Sequence, residues 1–250
     1  MTNTSHLYGI EPGKYVVSEK TGIEFVAIPE GSFYAGHRSG MKVTTPAFRM
    51  ARHPVTNLQW QQFVEETEYW PDNESQANLG AYLQPWNGQR VSPKELAQHP
   101  VTWISFIDAL HFASWAGVRI PSEWHWEKAA RGLDGRQCPW GDSVGFAPKY
   151  SHVKQRSTAP VDFFAQTRTA FGCEQMIGNV AEFCIRADAP IGDFLPQPTV
   201  FDIAGDDQVI LRGSCYLRKS DRAMVCSHRR KLSAGRRNSW TGLRVSQHDQ

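Results

Sequence analysis

The stretch from Leu211 to Val245, LRGSCYLRKSDRAMVCSHRRKLSAGRRNSWTGLRV, concentrates the side chains with the most chemistry to offer. Arg212, Arg218, Lys219, Arg222, Arg229, Arg230, Lys231, Arg236, Arg237 and Arg244 stand there against a single acid, Asp221, although the whole chain carries a formal net charge of only +2. A local excess of cations beside Tyr216 and Trp240 suits anion recognition, because guanidinium groups give directed hydrogen bonds and aromatic rings give contact area. Electrostatic attraction to an acidic protein surface or a polyanion would also speed encounter. The competing reading is that single arginines solvate the surface or pair with carboxylates elsewhere in the chain.

The same stretch holds Cys215 and Cys226, and Cys138, Cys173 and Cys184 complete the set of 5 cysteines. An odd number without C-x-x-C spacing argues against a disulfide framework and a zinc ribbon, and leaves the thiols as small buried hydrophobes. No phosphate-cradling glycine motif and no G-x-S-x-G nucleophile motif occurs, and the histidines show no H-x-x-x-H or H-E-x-x-H pairing. His111 and His125 sit beside apolar neighbours on predicted helices and read as packed groups. Asp202, Asp206 and Asp207 read as solvated loop.

These residues need elements to hold them. Val209-Ile210-Leu211 followed by Arg212-Gly213-Ser214, and Thr241-Gly242-Leu243-Arg244-Val245, each predict a short strand, with a long irregular loop between. Loops of that length in compact domains are usually functional or disordered. Upstream, Ile23 to Pro29 and Ser32 to Gly36 predict a hairpin joined at Glu30-Gly31, and Thr44 to Arg52 a further extended segment. Thr56 predicts the cap of a helix with the apolar stripe Trp60, Phe63, Val64. Ser105 with Asp108 predicts a second helix, carrying Phe106, Ala109, Leu110 and Ala113 and ending at Gly117. Ser122 predicts a third, through Trp126, Ala129 and Ala130 to Gly132, whereas Trp70 to Pro100 reads as a surface excursion.

The totals fit this. A chain of 250 residues with 40% hydrophobic and 21% charged residues can bury a core unaided, and 9 tryptophans, 15 prolines and 20 glycines predict a turn-rich fold pinned by aromatic anchors. The expected organisation is a leader over 1–21 and one domain over 22–246, with 211–245 as its ligand-binding segment. No apolar run of membrane-spanning length and no secretory leader pattern is present, so a cytoplasmic location without membrane contact is expected.

Several segments together resemble the formylglycine-generating enzyme, or sulfatase-modifying-factor, domain family, a branch of the C-type lectin fold. They are Pro54-Val55-Thr56-Asn57, His99-Pro100-Val101, Trp115-Ala116-Gly117, Arg119-Ile120-Pro121-Ser122-Glu123, Trp126-Glu127, Ala129-Ala130-Arg131-Gly132, Pro139-Trp140-Gly141, Thr158-Ala159-Pro160-Val161, Gly178-Asn179-Val180-Ala181-Glu182-Phe183, Leu211-Arg212-Gly213 and Gly242-Leu243-Arg244. The resemblance implies an α+β, C-type-lectin-like fold with little regular secondary structure, two or three helices around small antiparallel sheets. It also implies a copper ion held by two cysteines in active members. The matching positions here fall near Leu217 and Arg222, which cannot bind copper, so copper-dependent oxidoreductase chemistry would have to use Cys215 and Cys226. A calcium site is implied at Asn179, the carbonyl of Val180, and Glu182.

The C-terminal segment further resembles the variable proteins of diversity-generating retroelements. That resemblance implies a ligand-facing set of Tyr216, Leu217, Arg218, Lys219, His228, Arg230, Lys231, Asn238, Ser239 and Trp240, with Arg222, Arg229 and Arg244 as framework. The expected function is therefore a non-catalytic protein that binds an acidic protein or similar ligand. The alternatives are the copper oxidoreductase and a structural accessory protein with one fixed partner. No nucleic-acid-binding motif appears and aromatic interleaving is thin, which points away from nucleic acid.

Overall fold

The computed structural model describes residues 14–36, 40–71, 81–143, 145, 151–164, 168–187, 198–199, 202–218 and 223–248. Its helices are α1 (Asn57–Thr67), α2 (Phe106–Ala116) and α3 (Glu123–Arg131). Each starts where a hydroxyl can satisfy an orphan amide. Thr56 and Gln59 form a reciprocal capping box on α1, and Ser105 and Asp108 form one on α2. Ser122 caps α3, accepting from the His125 amide. Such caps contribute about 1 kcal/mol each. Left-handed Gly117 closes α2.

The strands are β1 (Val16–Val17), β2 (Glu24–Ile28), β3 (Gly31–Ala35), β4 (Met41–Thr45), β5 (Phe48–Ala51), β6 (Ala181–Cys184), β7 (Gln208–Arg212), β8 (Arg229–Ser233), β9 (Thr241–Gly242) and β10 (Ser246–Gln247). One sheet runs β1-β2-β5-β10, β3 and β4 form a separate pair, and the last sheet runs β8-β7-β6-β9. The expected hairpin at Glu30-Gly31 does not form. β2 pairs with β1 and β5, while β3 pairs with β4, so the chain changes sheets at that corner. The extended segment predicted over Thr44 to Arg52 is divided between β4 and β5 at Pro46-Ala47, where proline has no amide to give a ladder. The stretch read as a surface excursion contributes buried Tyr82, Leu83 and Trp86 to the core. Their ring groups are anchored: the Trp60 indole donates to the Tyr82 hydroxyl, and the Trp86 indole to Asn57 Oδ1.

The last sheet divides the core. Alternate residues of a strand face opposite sides. Phe183, Val209 and Leu211 therefore join the cluster with Trp60, Phe63 and Phe112 of α1 and α2, while Cys184 and Ile210 join the cluster with Trp126 of α3. With three helices and small, mostly antiparallel sheets, the fold is α+β and C-type-lectin-like. No described helix is long and apolar enough to cross a membrane.

Candidate ligand-binding face

β7 delivers the chain to Gly213, and that position admits only glycine. Its φ is +74°, and a Cβ would lie 2.7 Å from the Met176 carbonyl oxygen and 3.1 Å from the Trp126 ring. Past this turn the backbone runs along two neighbouring segments. The Gly178 amide donates to the Ser214 carbonyl (3.1 Å) and the Tyr216 amide to the Asn179 carbonyl (2.9 Å). From the other side the Gln155 amide donates to the Tyr216 carbonyl (2.8 Å) and the Lys154 amide to the Arg218 carbonyl (3.1 Å). Lys154, Gln175 and Asn179 all hold left-handed backbone without being glycine. Strain of this kind persists only where surrounding contacts impose it.

The second half of the segment is not all loop. Residues 229–233 form β8, an edge strand antiparallel to β7. Arg229, Arg230 and Lys231 are exposed, and the Arg230 guanidinium lies 4.5 Å from the Trp240 ring centroid. Trp240 is set by Asn238, whose Oδ1 accepts from the Trp240 amide (3.0 Å), the Thr241 amide (2.9 Å) and the Thr241 hydroxyl (3.1 Å). Burial lowers the pKa of His228, and the charges of Arg218, Arg212 and Arg230 lower it further. Arg218 and Arg230 thus both stand near His228, and Arg230 is the one that lies over Trp240. Among the described residues no carboxylate pairs with Arg218, Arg230 or Lys231. Leu217 is exposed, while Arg218, His228, Ser239 and Trp240 are partly so. Tyr216 and Asn238 are buried, which makes them supports of the face rather than its surface. Lys219 and Arg222 lie outside the described residues.

Three of the ten cations serve the scaffold, among them Arg244, an expected framework residue. Arg244 is completely buried and meets both oxygens of Glu182 at 2.9–3.1 Å. Arg237 meets both oxygens of Asp108 at 2.8 and 3.1 Å. Arg212 binds Glu127 and the carbonyl of Cys226. Arg229, its side chain half exposed, pairs with Glu123 at 2.9 Å. Asp108 was legible as a cap but not as the partner of Arg237, because that contact joins residues 129 positions apart. Lys154 and Gln155, which support Leu217 through the backbone, carried no sequence signal beyond lying in a polar stretch.

The residues implied for metals have other duties. The Glu182 carboxylate accepts from Arg244 and from the Trp126 indole. The Asn179 side chain accepts from the Ala159 amide and donates to the Ala159 carbonyl and Gln175 Oε1. Calcium needs six or more oxygen ligands, and this arrangement commits both side chains to protein partners. Val180 is buried beside them. The two thiols considered for copper stand in different apolar clusters, Cys215 with the α1 and α2 side and Cys226 with Trp126. Burial pushes both thiols up, and Cu(I) calls for paired thiolates at one point. The residues present therefore do not fit a copper dithiolate. Among the described residues no cluster of three or more His, Cys, Asp or Glu side chains is placed to hold a metal ion.

Residues 14–248 match the model of the sulfatase-modifying factor enzyme 1-like domain. The chain belongs to that family. Curated relatives of this domain include the hercynine oxygenase of Mycobacterium tuberculosis, 31% identical over an aligned length of 237 residues, with 79% of this chain and 53% of the relative covered. The chain thus spans about half the length of that enzyme. Formylglycine-generating enzymes are also among the matches. Of solved structures, PvdO from Pseudomonas aeruginosa superposes with a TM-score of 0.75 at 20% identity, covering 96% of this chain and 100% of that one. Treponema denticola variable protein 1 superposes with a TM-score of 0.69 at 16% identity, over 94% of this chain and 99% of its own. At these identities the structural likeness speaks to the fold.

Proposed function

We propose that this domain is a non-catalytic ligand-binding member of its family, which takes an acidic ligand on the surface around Arg218, His228, Arg230 and Trp240, with Lys231 on the opposite face of the same edge strand. The observation that carries this is Arg230 lying over the partly exposed Trp240 with Arg218 nearby around His228, and no carboxylate pairing Arg218, Arg230 or Lys231 among the described residues. Guanidinium stacked on indole is held in place before a ligand arrives, so less side-chain entropy is lost on binding. Five free, buried cysteines suit the reducing cytoplasm as the place of action.

The test is fluorescence anisotropy with a labelled acidic peptide, with heparin as competitor, across a salt series. Arg230→Ala and Trp240→Ala should each weaken binding by about tenfold or more while leaving the melting temperature near that of the parent. Unchanged affinity in both variants would remove the face from the binding site.

The fold shared with Treponema denticola variable protein 1 supports a finer version, in which the exposed positions of 211–245 are diversified by a retroelement. Sequencing the native locus tests it: a near-copy of the segment beside a reverse-transcriptase gene, differing mainly at adenines, is expected. A locus without such a copy would leave a fixed partner, as for an accessory protein.

Similarity to hercynine oxygenase and to formylglycine-generating enzymes favours a second reading, an oxidoreductase role. The arrangement of Cys215 and Cys226 weighs against its copper form. Stoichiometric Cu(I) uptake that Cys215→Ser abolishes would reverse that judgement.

A further inference from the structure

We infer that the outer edge of β8 is a docking site for an extended acidic peptide, which adds to the sheet as a further strand. β8 ends the sheet order β8-β7-β6-β9, so one of its edges faces away from β7. The direction of each backbone group follows from the register. Ser233 lies opposite Gln208, and the next pair outward is joined by the Ala234 amide donating to the Asp207 carbonyl at 2.7 Å. In an antiparallel pair, residues that exchange hydrogen bonds alternate with residues that do not. Leu232 and Arg230 therefore bond to β7, while Arg229 and Lys231 turn their N–H and C=O groups outward. Among the described residues neither makes a backbone hydrogen bond outside the ladder.

That leaves two donors and two acceptors in strand spacing, a template for another chain. The flanking side chains choose the occupant. Three consecutive residues, Arg229, Arg230 and Lys231, are exposed and project alternately to the two faces of the sheet; Arg229 is paired with Glu123, whereas Arg230 and Lys231, one on each face, have no carboxylate partner among the described residues. Such charges deter pairing with an apolar or basic strand. They favour a strand with consecutive acidic residues, because opposite charges directly across a sheet attract and like charges repel. On one face Arg230 lies over Trp240, which gives an incoming side chain an apolar floor.

Edge pairing presupposes the acidic-ligand reading of the same face, and the test separates the two. The probe is a fluorescein-labelled peptide, Val-Thr-Glu-Glu-Glu-Thr-Val, with two derivatives N-methylated at alternate amides, one set on each edge. Methylation on the edge facing β8 should weaken binding by about tenfold, and methylation on the other edge should leave it unchanged. Lys231→Pro supplies the matching change on the protein. It removes an outward N–H without breaking a bond to β7, so it should weaken binding about tenfold, against two- to threefold for Lys231→Ala. If both methylated peptides bind as tightly as the parent, strand addition is refuted and a purely electrostatic face remains. If neither the peptides nor heparin bind, the acidic-ligand reading itself falls.

Discussion

The buried pair Glu182–Arg244 is the most consequential contact in the scaffold of the candidate face, and its loss can be worked through from its surroundings. Both side chains are 0% exposed. Arg244 also donates to the carbonyls of Ala51 (2.8 Å), Arg52 (2.6 Å) and Glu174 (2.7 Å), whereas among the described residues Glu182 has the Trp126 indole as its one further donor. Breaking a buried ion pair from one side costs about 3–5 kcal/mol, since the remaining charge is left uncompensated. The two sides are not equivalent here. Arg244→Met strands a carboxylate and takes the donor from three carbonyls, each worth about 1–3 kcal/mol when left unsatisfied. Glu182→Gln leaves a guanidinium that still reaches those carbonyls. Arg244→Met should therefore sit at or beyond the upper end of that range and Glu182→Gln at the lower end. Urea unfolding at constant m-value measures both. A cost below about 1 kcal/mol for either, the size of a surface bridge, would refute the reasoning. Calcium provides an independent check. If Glu182 were a calcium ligand, calcium at a hundred times its Kd would stabilise the parent by about 2.7 kcal/mol and spare the Gln variant. No shift in either is expected.

Three further outcomes follow from the same geometry. Gly213→Ala should destabilise by about 1–3 kcal/mol in chemical denaturation, because alanine is strained at φ +74° and its Cβ meets Met176 and Trp126; a neutral change would mean that the turn relaxes freely. Native thiols should resist iodoacetamide and react once urea is added, as burial raises Cys138, Cys173, Cys184, Cys215 and Cys226 alike; rapid labelling of the native protein, read by mass spectrometry, would contradict it. Burial and nearby arginines lower His228, while burial, His125 and Arg119 lower His248 to about 3. Below the ordinary histidine value of 6.5 the unfolded chain binds these protons and the folded one does not, so stability should fall as pH drops from 6.5 toward about 3. His248→Asn should flatten that slope in pH-dependent urea melts, and an unaltered slope would show that other groups carry it.

What could be read in the sequence and what could not divides by range. The cap at Thr56 and the capping box of Ser105 with Asp108 are decided within four residues, and both helices start where those residues stand. The family segments were legible for a similar reason, each being a short string with its own turn or cap. The partners of β2 were not, because the adjacent β3 is the local candidate whereas β1 and β5 take its two edges, a choice that is tertiary. β8 escaped notice for a different cause. Strand periodicity comes from one buried face, and three of the five β8 residues are exposed regardless of phase. At the candidate face, the residue types were visible but their sorting was not. Arg237 reads like any other cation of the segment until Asp108, 129 positions away, arrives beside it, and Arg244, marked as framework only by the family resemblance, finds its partner Glu182 62 positions away.

That sorting has a consequence for how such a face changes. Within one segment, Arg212, Arg237 and Arg244 tie the backbone to α3, α2 and β6, while Leu217, Arg230 and Lys231 stand on the supported surface with exposed side chains. Exposed substitutions away from special contacts shift stability by only about 0.5 kcal/mol, whereas loss of a buried pair costs several. Affinity can therefore be rewritten at the exposed positions almost without touching the fold, provided the buried cations stay. Backbone hydrogen bonds from Lys154, Gln155, Gly178 and to Asn179 add to this, since they hold the 214–218 stretch whatever side chain it bears. A surface held by main chain below and free in side chain above is suited equally to a diversified binder and to one adapted to a single acidic partner. The number of ligands the face has met, rather than its architecture, distinguishes the two.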